Sequence, residues 1–427
     1  MEIHFIEAER DKDKSPTSDW FEETTGAFLC PSLGLLTIAS LTPDYIRVKI
    51  IDEKIDRVDV DNVPDAVAIS FKTMSSLRAY ALADAFRQKK AKVILGGLHA
   101  SLLPEEAKLH CDSVVVGEAE EIWPMVLNDL KSGSLRPFYH MPRLTDLSTL
   151  PTPKFGLLNT TRYLCHAIQA SRGCSLDCDF CPTREMFGGV FRLKPIARVV
   201  NEIKTALAFE KKYIFFTDDI FCAGDERCTL ELLKEIKKLK IEFFIVSDFL
   251  VLTKKIVIAL AQSGCRYLGL NLPGTCSPEE LKAIKMIQML GIDVWGYFMF
   301  GFKFHEKDVF KKAYDFTQKT KMKHVSFTVM APYPNTIAGK KLDSQGRILS
   351  KDWLLYDQAH IVFKPEKMSS DELEEGFRWI KGQLGSLSCF NLEAERRPPW
   401  KIFTSKCLAG ISAMLPSKSR KNSPKQQ

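Results

Sequence analysis

The chain has 427 residues, 45% of them hydrophobic and 26% charged, enough for two or three domains with substantial cores. No apolar run reaches the length of a membrane span, and the first residues read as a strand, so neither a spanning helix nor a signal peptide is expected. The net charge of +7 is concentrated at one end: residues 398–427 hold six Lys and Arg and no acid, which leaves the rest near neutral and argues against a nucleic-acid-binding face.

The first 150 residues alternate strand and helix. Strand-like runs fall at Ile3–Ile6, Ile46–Ile51, Val67–Ser70, Val93–Leu95 and Ser113–Val116, and helical patterns at 33–41, 75–89 and 120–131. Such alternation predicts an α/β domain, a doubly wound, Rossmann-like parallel sheet. Ligands bind such sheets at the carboxyl ends of the strands. The loops there carry Ser70 and Thr73, Gly96 and Gly97, and Gly117 and Glu118. Ordinary tight turns are the alternative for these glycines. The runs S-L-R-A-Y-A-L-A-D-A-F-R, V-I-L-G-G-L-H-A-S-L-L-P-E-E-A and D-S-V-V-V-G-E-A-E-E-I-W-P resemble, in order and spacing, the cobalamin-binding domain that precedes many radical SAM enzymes. So does P-S-L-G-L-L-T-I-A-S-L. The resemblance implies cobalamin held by its tail at Ser70, Thr73, Gly96, Gly97, Gly117 and Glu118. The D-x-H-x-x-G motif that gives cobalt a histidine in other cobalamin proteins is absent, and His99 reads as structural, with a cobalt ligand the alternative.

Residues 136–160, rich in proline, read as a linker closing a domain of residues 1–135. A strand at His166–Ala170 then leads into S-R-G-C-S-L-D-C-D-F-C-P-T, with Cys174, Cys178 and Cys181 in C-x-x-x-C-x-x-C spacing. Three thiolates can grip three irons of a four-iron cluster and leave the fourth open to a chelating amine and carboxylate. A zinc knuckle is the alternative, but zinc wants four ligands and no second Cys/His pair follows at finger spacing. With Phe180 before the last cysteine, the segment resembles the signature of the radical SAM superfamily. The resemblance implies a [4Fe-4S] cluster on the three cysteines, bound S-adenosylmethionine (SAM), and an electron donor such as flavodoxin or ferredoxin. The other nine cysteines are scattered, as buried thiols of a cytoplasmic chain would be.

Five helix-plus-strand units follow, with strands at Tyr213–Thr217, Ile241–Val246, Tyr267–Asn271, Val294–Phe300 and His324–Val329. Six parallel strands are too few for a closed eight-stranded barrel and match the open (β/α)6 barrel of radical SAM enzymes, assigned here to residues 161–335. Chemistry is expected at the strands' carboxyl ends. By the resemblance, Asp218 or Asp219 after the second strand takes the SAM amino group; a solvated turn or helix cap is the alternative. Side-chain alternation lets only one of the two face the lumen. The chain departs from the family where Asn271 stands for a glutamate, Lys303 for an aspartate and Asn335 for a glycine.

Gly346–Ser369 resembles the C-terminal region of a cobalamin–radical SAM subgroup that includes hopanoid-pathway enzymes, among them a C-2 methylase. Residues 336–397 are expected to be helical, with Trp353, Tyr356, Asp357 and His360 within one helical reach at a substrate site; core packing is the alternative for Trp353. Residues 398–427 pair an apolar stretch with a basic tail, which suits either an anionic membrane surface or a helix packed on the barrel. Together the resemblances imply methylation of an unactivated carbon of a small apolar, isoprenoid- or hopanoid-like metabolite. The alternatives are non-methylating radical chemistry, such as cyclisation or rearrangement, and a degenerate cobalamin- or cluster-binding protein.

Overall fold

The computed structural model describes residues 1–10, 29–141, 143–158, 162–209, 213–221, 223–274 and 277–384. The expectations for residues 398–427 lie outside them. The first sheet joins β1 (Glu2–Glu7), β2 (Arg47–Asp52), β3 (Ala66–Ser70), β4 (Lys92–Gly96), β5 (Ser113–Val116) and β6 (Phe138–His140). They run parallel in the order β2-β1-β3-β4-β5-β6. Alternation along β1 sends Ile3 and Phe5 to one face and Ile6 to the other, and each face carries its own core. One gathers Leu35, Trp123 and Val126 from helices Leu33–Leu41 and Trp123–Ser132. The other gathers Ala79, Ala83 and Phe86 from helix Ser76–Gln88. This is the doubly wound domain expected. Its sixth strand falls inside the predicted linker, so the boundary at residue 135 is too early.

The second sheet holds β7 (Cys165–Ile168), β10 (Tyr213–Phe216), β11 (Phe243–Ser247), β12 (Cys265–Leu272), β13 (Asp293–Phe300) and β14 (His324–Val329). All are parallel, each beside its successor, from β7 at one edge to β14 at the other. Alternation divides their side chains. Ile214, Phe216, Ile245, Leu268, Leu270, Phe298 and Phe300 pack outward against the helices. Phe244, Tyr267 and Trp295, with Tyr213, Phe215 and Tyr297 against them, form a separate aromatic cluster on the inner face. The helices start on good caps: Thr253 accepts from the Ile256 amide, and Ser277 with Glu280 forms a capping box, each typically contributing about 1 kcal/mol.

Between β7 and β10 lies a small antiparallel pair, β8 (Ser171–Arg172) and β9 (Arg192–Leu193). The cysteine segment is the connection between them. Past β14 the chain is less helical than expected: a helix at Ile337–Ser344, one 3-10 turn at Trp353–Leu355, then helix Ser370–Leu384. Trp353, Tyr356, Asp357 and His360 therefore share no helix face.

Candidate functional site

The cysteine loop is closed at its base and pinned along its length. Gly173 sits at φ +84°, and a Cβ there would lie 2.0 Å from the Val190 carbonyl oxygen, so the two ends of the loop approach as only glycine permits. The Gly173 amide donates to Asp219 at 2.9 Å, and the Thr183 hydroxyl donates to the other Asp219 oxygen at 3.1 Å. Asp218 accepts from the Ala170 amide at 2.8 Å and from the Ser171 hydroxyl. Farther along, the Asp179 carbonyl accepts from the Ala338 amide at 2.9 Å.

Both aspartates thus turn to the loop rather than one to the lumen. The alternation argument fails because β10 ends at Phe216 and Asp218 and Asp219 follow it. Asp218 is only 6% exposed, and burial pushes its carboxyl up to about 7, with the two hydrogen bonds opposing.

The three thiols are free and half-buried. Cys174 Sγ accepts from the Leu176 amide at 3.4 Å. Burial, then the charges of Cys181, Cys174 and Asp248, push the Cys178 thiol up to about 12. Cys174 is raised by burial, with Cys181, Asp219 and Asp248 adding to it. Three half-buried thiols in one loop, with Cys174 and Cys178 held back from ionising, fit a bound cationic iron cluster, which needs them as thiolates. Among the described residues no three His, Cys, Asp or Glu side chains converge tightly enough to enclose a single ion. Phe180 rests on Phe302 after β13, ring centroids 5.1 Å apart. Asp248, just past the end of β11, is a residue the sequence reading missed; burial raises its carboxyl. Its position at the carboxyl end of a barrel strand was the available signal. Asn271, near the end of β12, is exposed.

In the first domain, the ends of β1, β3 and β4 stand in register at Glu7, Ser70 and Gly96. A Cβ on Gly96 would find only Val115, at ordinary contact distance, so protein packing does not require glycine there and the bare strand end leaves room for a ligand. Gly97, at φ +88°, lets the loop after β4 approach the Phe71 amide and Ser70 hydroxyl, each 2.9 Å from where a Cβ would sit. The Gly117 amide donates to Ser101 Oγ at 2.9 Å. Ser70, Gly96, Gly97 and Gly117 thus line the carboxyl ends of β3, β4 and β5 with backbone and a hydroxyl, which suits the polar tail of a corrinoid. Thr73 is buried behind them against His99, which is itself fully buried with Glu106 on its other nitrogen.

Glu118 does something else. Its carboxylate accepts from Arg192 at 2.8 Å and from the Thr145 amide at 2.6 Å, and lies 3.2 Å from Arg172. Glu120 lies 2.7 Å from the same Arg172. Burial alone would raise Glu118, but the hydrogen bond from Arg192 and the charge of Arg172 hold it below the usual carboxylate range. Both carboxylate oxygens of Glu118 are thus engaged by protein partners, the arginines that flank the cysteine loop and the Thr145 amide. Two further contacts join the domains, Trp353 Nε1 to Glu106 at 3.0 Å and Asn335 Nδ2 to the Leu102 carbonyl.

Comparison with known proteins gives the same division. The B12 binding domain model matches residues 24–127, and the Radical SAM superfamily model matches residues 168–317. A bacteriochlorophyllide d C-12(1)-methyltransferase of Chlorobaculum tepidum is 28% identical over 414 residues, 90% of this chain and 88% of that one. A hopanoid C-2 methylase of Rhodopseudomonas palustris is 23% identical over 77% of this chain and 67% of its own. Among solved structures, the methyltransferase TsrM of Kitasatospora setae, with cobalamin and a [4Fe-4S] cluster bound, superposes with a TM-score of 0.65 at 13% identity, covering 93% of this chain and 90% of that one.

Proposed function

From a chain that belongs to the cobalamin-binding radical SAM family, a methyltransferase using a [4Fe-4S] cluster, SAM and cobalamin, we propose methylation of an unactivated carbon on an apolar, ring-based substrate. The inner wall of the barrel carries this reading. Phe215 and Tyr297 are half-buried there over the buried Phe244, Tyr267 and Trp295, and Trp295 and Tyr297 stack at 5.4 Å. Such a surface favours a flat apolar body and excludes water. The named substrates of two relatives, a bacteriochlorophyllide and a hopanoid, are compounds of that kind.

In this reading Cys174, Cys178 and Cys181 hold the cluster, and Ser70, Gly96, Gly97 and Gly117 receive the corrinoid tail. When bound, the cluster and SAM supply hydrogen abstraction and the cobalamin supplies the methyl group. The protein's part is placement. Asp218 and Asp219 hold the cysteine loop, Phe180 and Phe302 cover its open side, and Asp248 offers a carboxylate to the ammonium or ribose of SAM. A reduced flavodoxin or ferredoxin delivers the electron. Peripheral attachment to an anionic membrane through residues 398–427 would suit an apolar substrate, at about 1 kcal/mol per basic residue near the surface. Flotation with anionic vesicles, full-length against a chain ended after Arg397, tests it; equal behaviour removes it.

The experiment for the reaction is anaerobic turnover with methyl-labelled SAM. Methyl transfer consumes two SAM per product, giving 5′-deoxyadenosine from one and S-adenosylhomocysteine from the other. Label in an apolar product beside both nucleosides is the expected result. Steady 5′-deoxyadenosine without S-adenosylhomocysteine would exclude methyl transfer.

A further inference from the structure

The cysteine loop belongs to one domain but is gripped at its base by the other. Arg172 and Arg192 face each other across the β8–β9 pair, directly where the loop leaves and returns. Both guanidiniums reach Glu118, and Arg172 also reaches Glu120. All four side chains are nearly buried, none more than 15% exposed. Arg192 also donates to the Thr145 carbonyl at 2.7 Å, the residue whose amide serves Glu118. Two acids and two bases balance, so the group is stable only when complete: removing one partner of a buried pair leaves an uncompensated charge. The arginine forks also fix direction as well as distance.

Glu118 and Glu120 follow β5, beside the strand ends of the first sheet, and Arg172 is two residues from Cys174. We infer that Glu118 and Glu120 are positioning residues: they hold the cluster loop at a set distance and angle from the cobalamin, so that one substrate carbon lies within reach of both cofactors. This rests on the reading of the chain as a cobalamin-dependent methyltransferase. A 1 Å misplacement already costs on the order of 100-fold in rate, which is the tolerance such a clamp must meet.

The test needs no substrate. Full-length protein is reconstituted anaerobically with iron, sulfide and hydroxocobalamin, then reduced so that Co(II) and the cluster are both paramagnetic. Their separation is read by pulsed dipolar electron paramagnetic resonance. Wild type should give one narrow distance. Glu118→Gln and Glu120→Gln should keep iron and corrinoid content, while the distance shifts by about 1 Å or more or broadens. Glu120→Gln should also still form 5′-deoxyadenosine from SAM. An unchanged distribution in either variant with both cofactors bound overturns the inference. So does selective loss of corrinoid from Glu118→Gln, which would make Glu118 a cofactor ligand. If Glu118→Gln does not fold, Glu120→Gln, which gives up one contact, decides alone. Wild type that binds neither cofactor would instead overturn the methyltransferase reading.

Discussion

His99 Nδ1 lies 3.2 Å from Thr73 Oγ1, inside the first domain and out of solvent. Its Nε2 lies 3.2 Å from Glu106, which also accepts from Tyr80 and Trp353. With both nitrogens engaged, His99 cannot ligate cobalt without breaking this group. The Co(II) form should therefore show no nitrogen splitting in its electron paramagnetic resonance spectrum. His99→Ala should leave that spectrum alone and lower stability by about 1–3 kcal/mol through stranded polar partners. Nitrogen coupling that vanishes in His99→Ala would contradict the assignment.

Cys178→Ala should abolish 5′-deoxyadenosine formation and bleach the cluster absorbance, as should the same change at Cys174 or Cys181. Cys228→Ala, in helix Glu226–Leu239, should leave both within error. Full SAM cleavage by Cys178→Ala would remove the cluster from this loop.

Asp218 gives a pH prediction with a definite sign. Its folded carboxyl titrates near 7 against 3.8 for the free group, so between those values the folded state binds the extra proton. Its contribution to stability is therefore lost as pH rises from about 4 to 7, on the order of 4 kcal/mol in all. Asp218→Asn can still accept from the Ala170 amide but cannot ionise. Its melting temperature should fall less than that of wild type between pH 5 and 8. Parallel curves for the two would show that burial does not perturb this carboxyl.

Gly173→Ala asks the loop to close over a side chain that has no room beside the Val190 carbonyl. The left-handed φ adds about 1–2 kcal/mol on its own. Iron content after reconstitution should drop to a small fraction of wild type, with corrinoid content unchanged. Normal iron loading would mean that the loop closes another way.

What the sequence made legible was the periodic part. Strand His324–Val329 falls on its expected bounds, and helix Glu226–Leu239 starts where Asp225 caps it and ends in a left-handed turn at Lys240. The strand Phe138–His140 was hidden by its three-residue length among the prolines of the 136–160 stretch, too short to show alternation. The arginine partners of Glu118 were hidden for a different reason. Gly-Glu after a strand looks the same whether the carboxylate meets a ligand or an arginine 74 residues away, and long-range ion pairs leave no periodic trace. Asn335 looked like a defect where relatives carry glycine. It adopts φ +64°, a region that asparagine tolerates better than most residues, and its amide bonds the Leu102 carbonyl, so the departure keeps the turn and adds a tie.

The order in which the clamp's parts occur along the chain bears on biogenesis. Glu118 and Glu120 leave the ribosome before either arginine, so the first domain can fold while the cysteines are still being made. The loop acquires its lower hinge only once Arg192 has emerged. Iron delivered earlier would meet three thiols on an unclosed ribbon, exposed to oxidation. Docking partner and closed loop are thus available together only after Arg192 has been made.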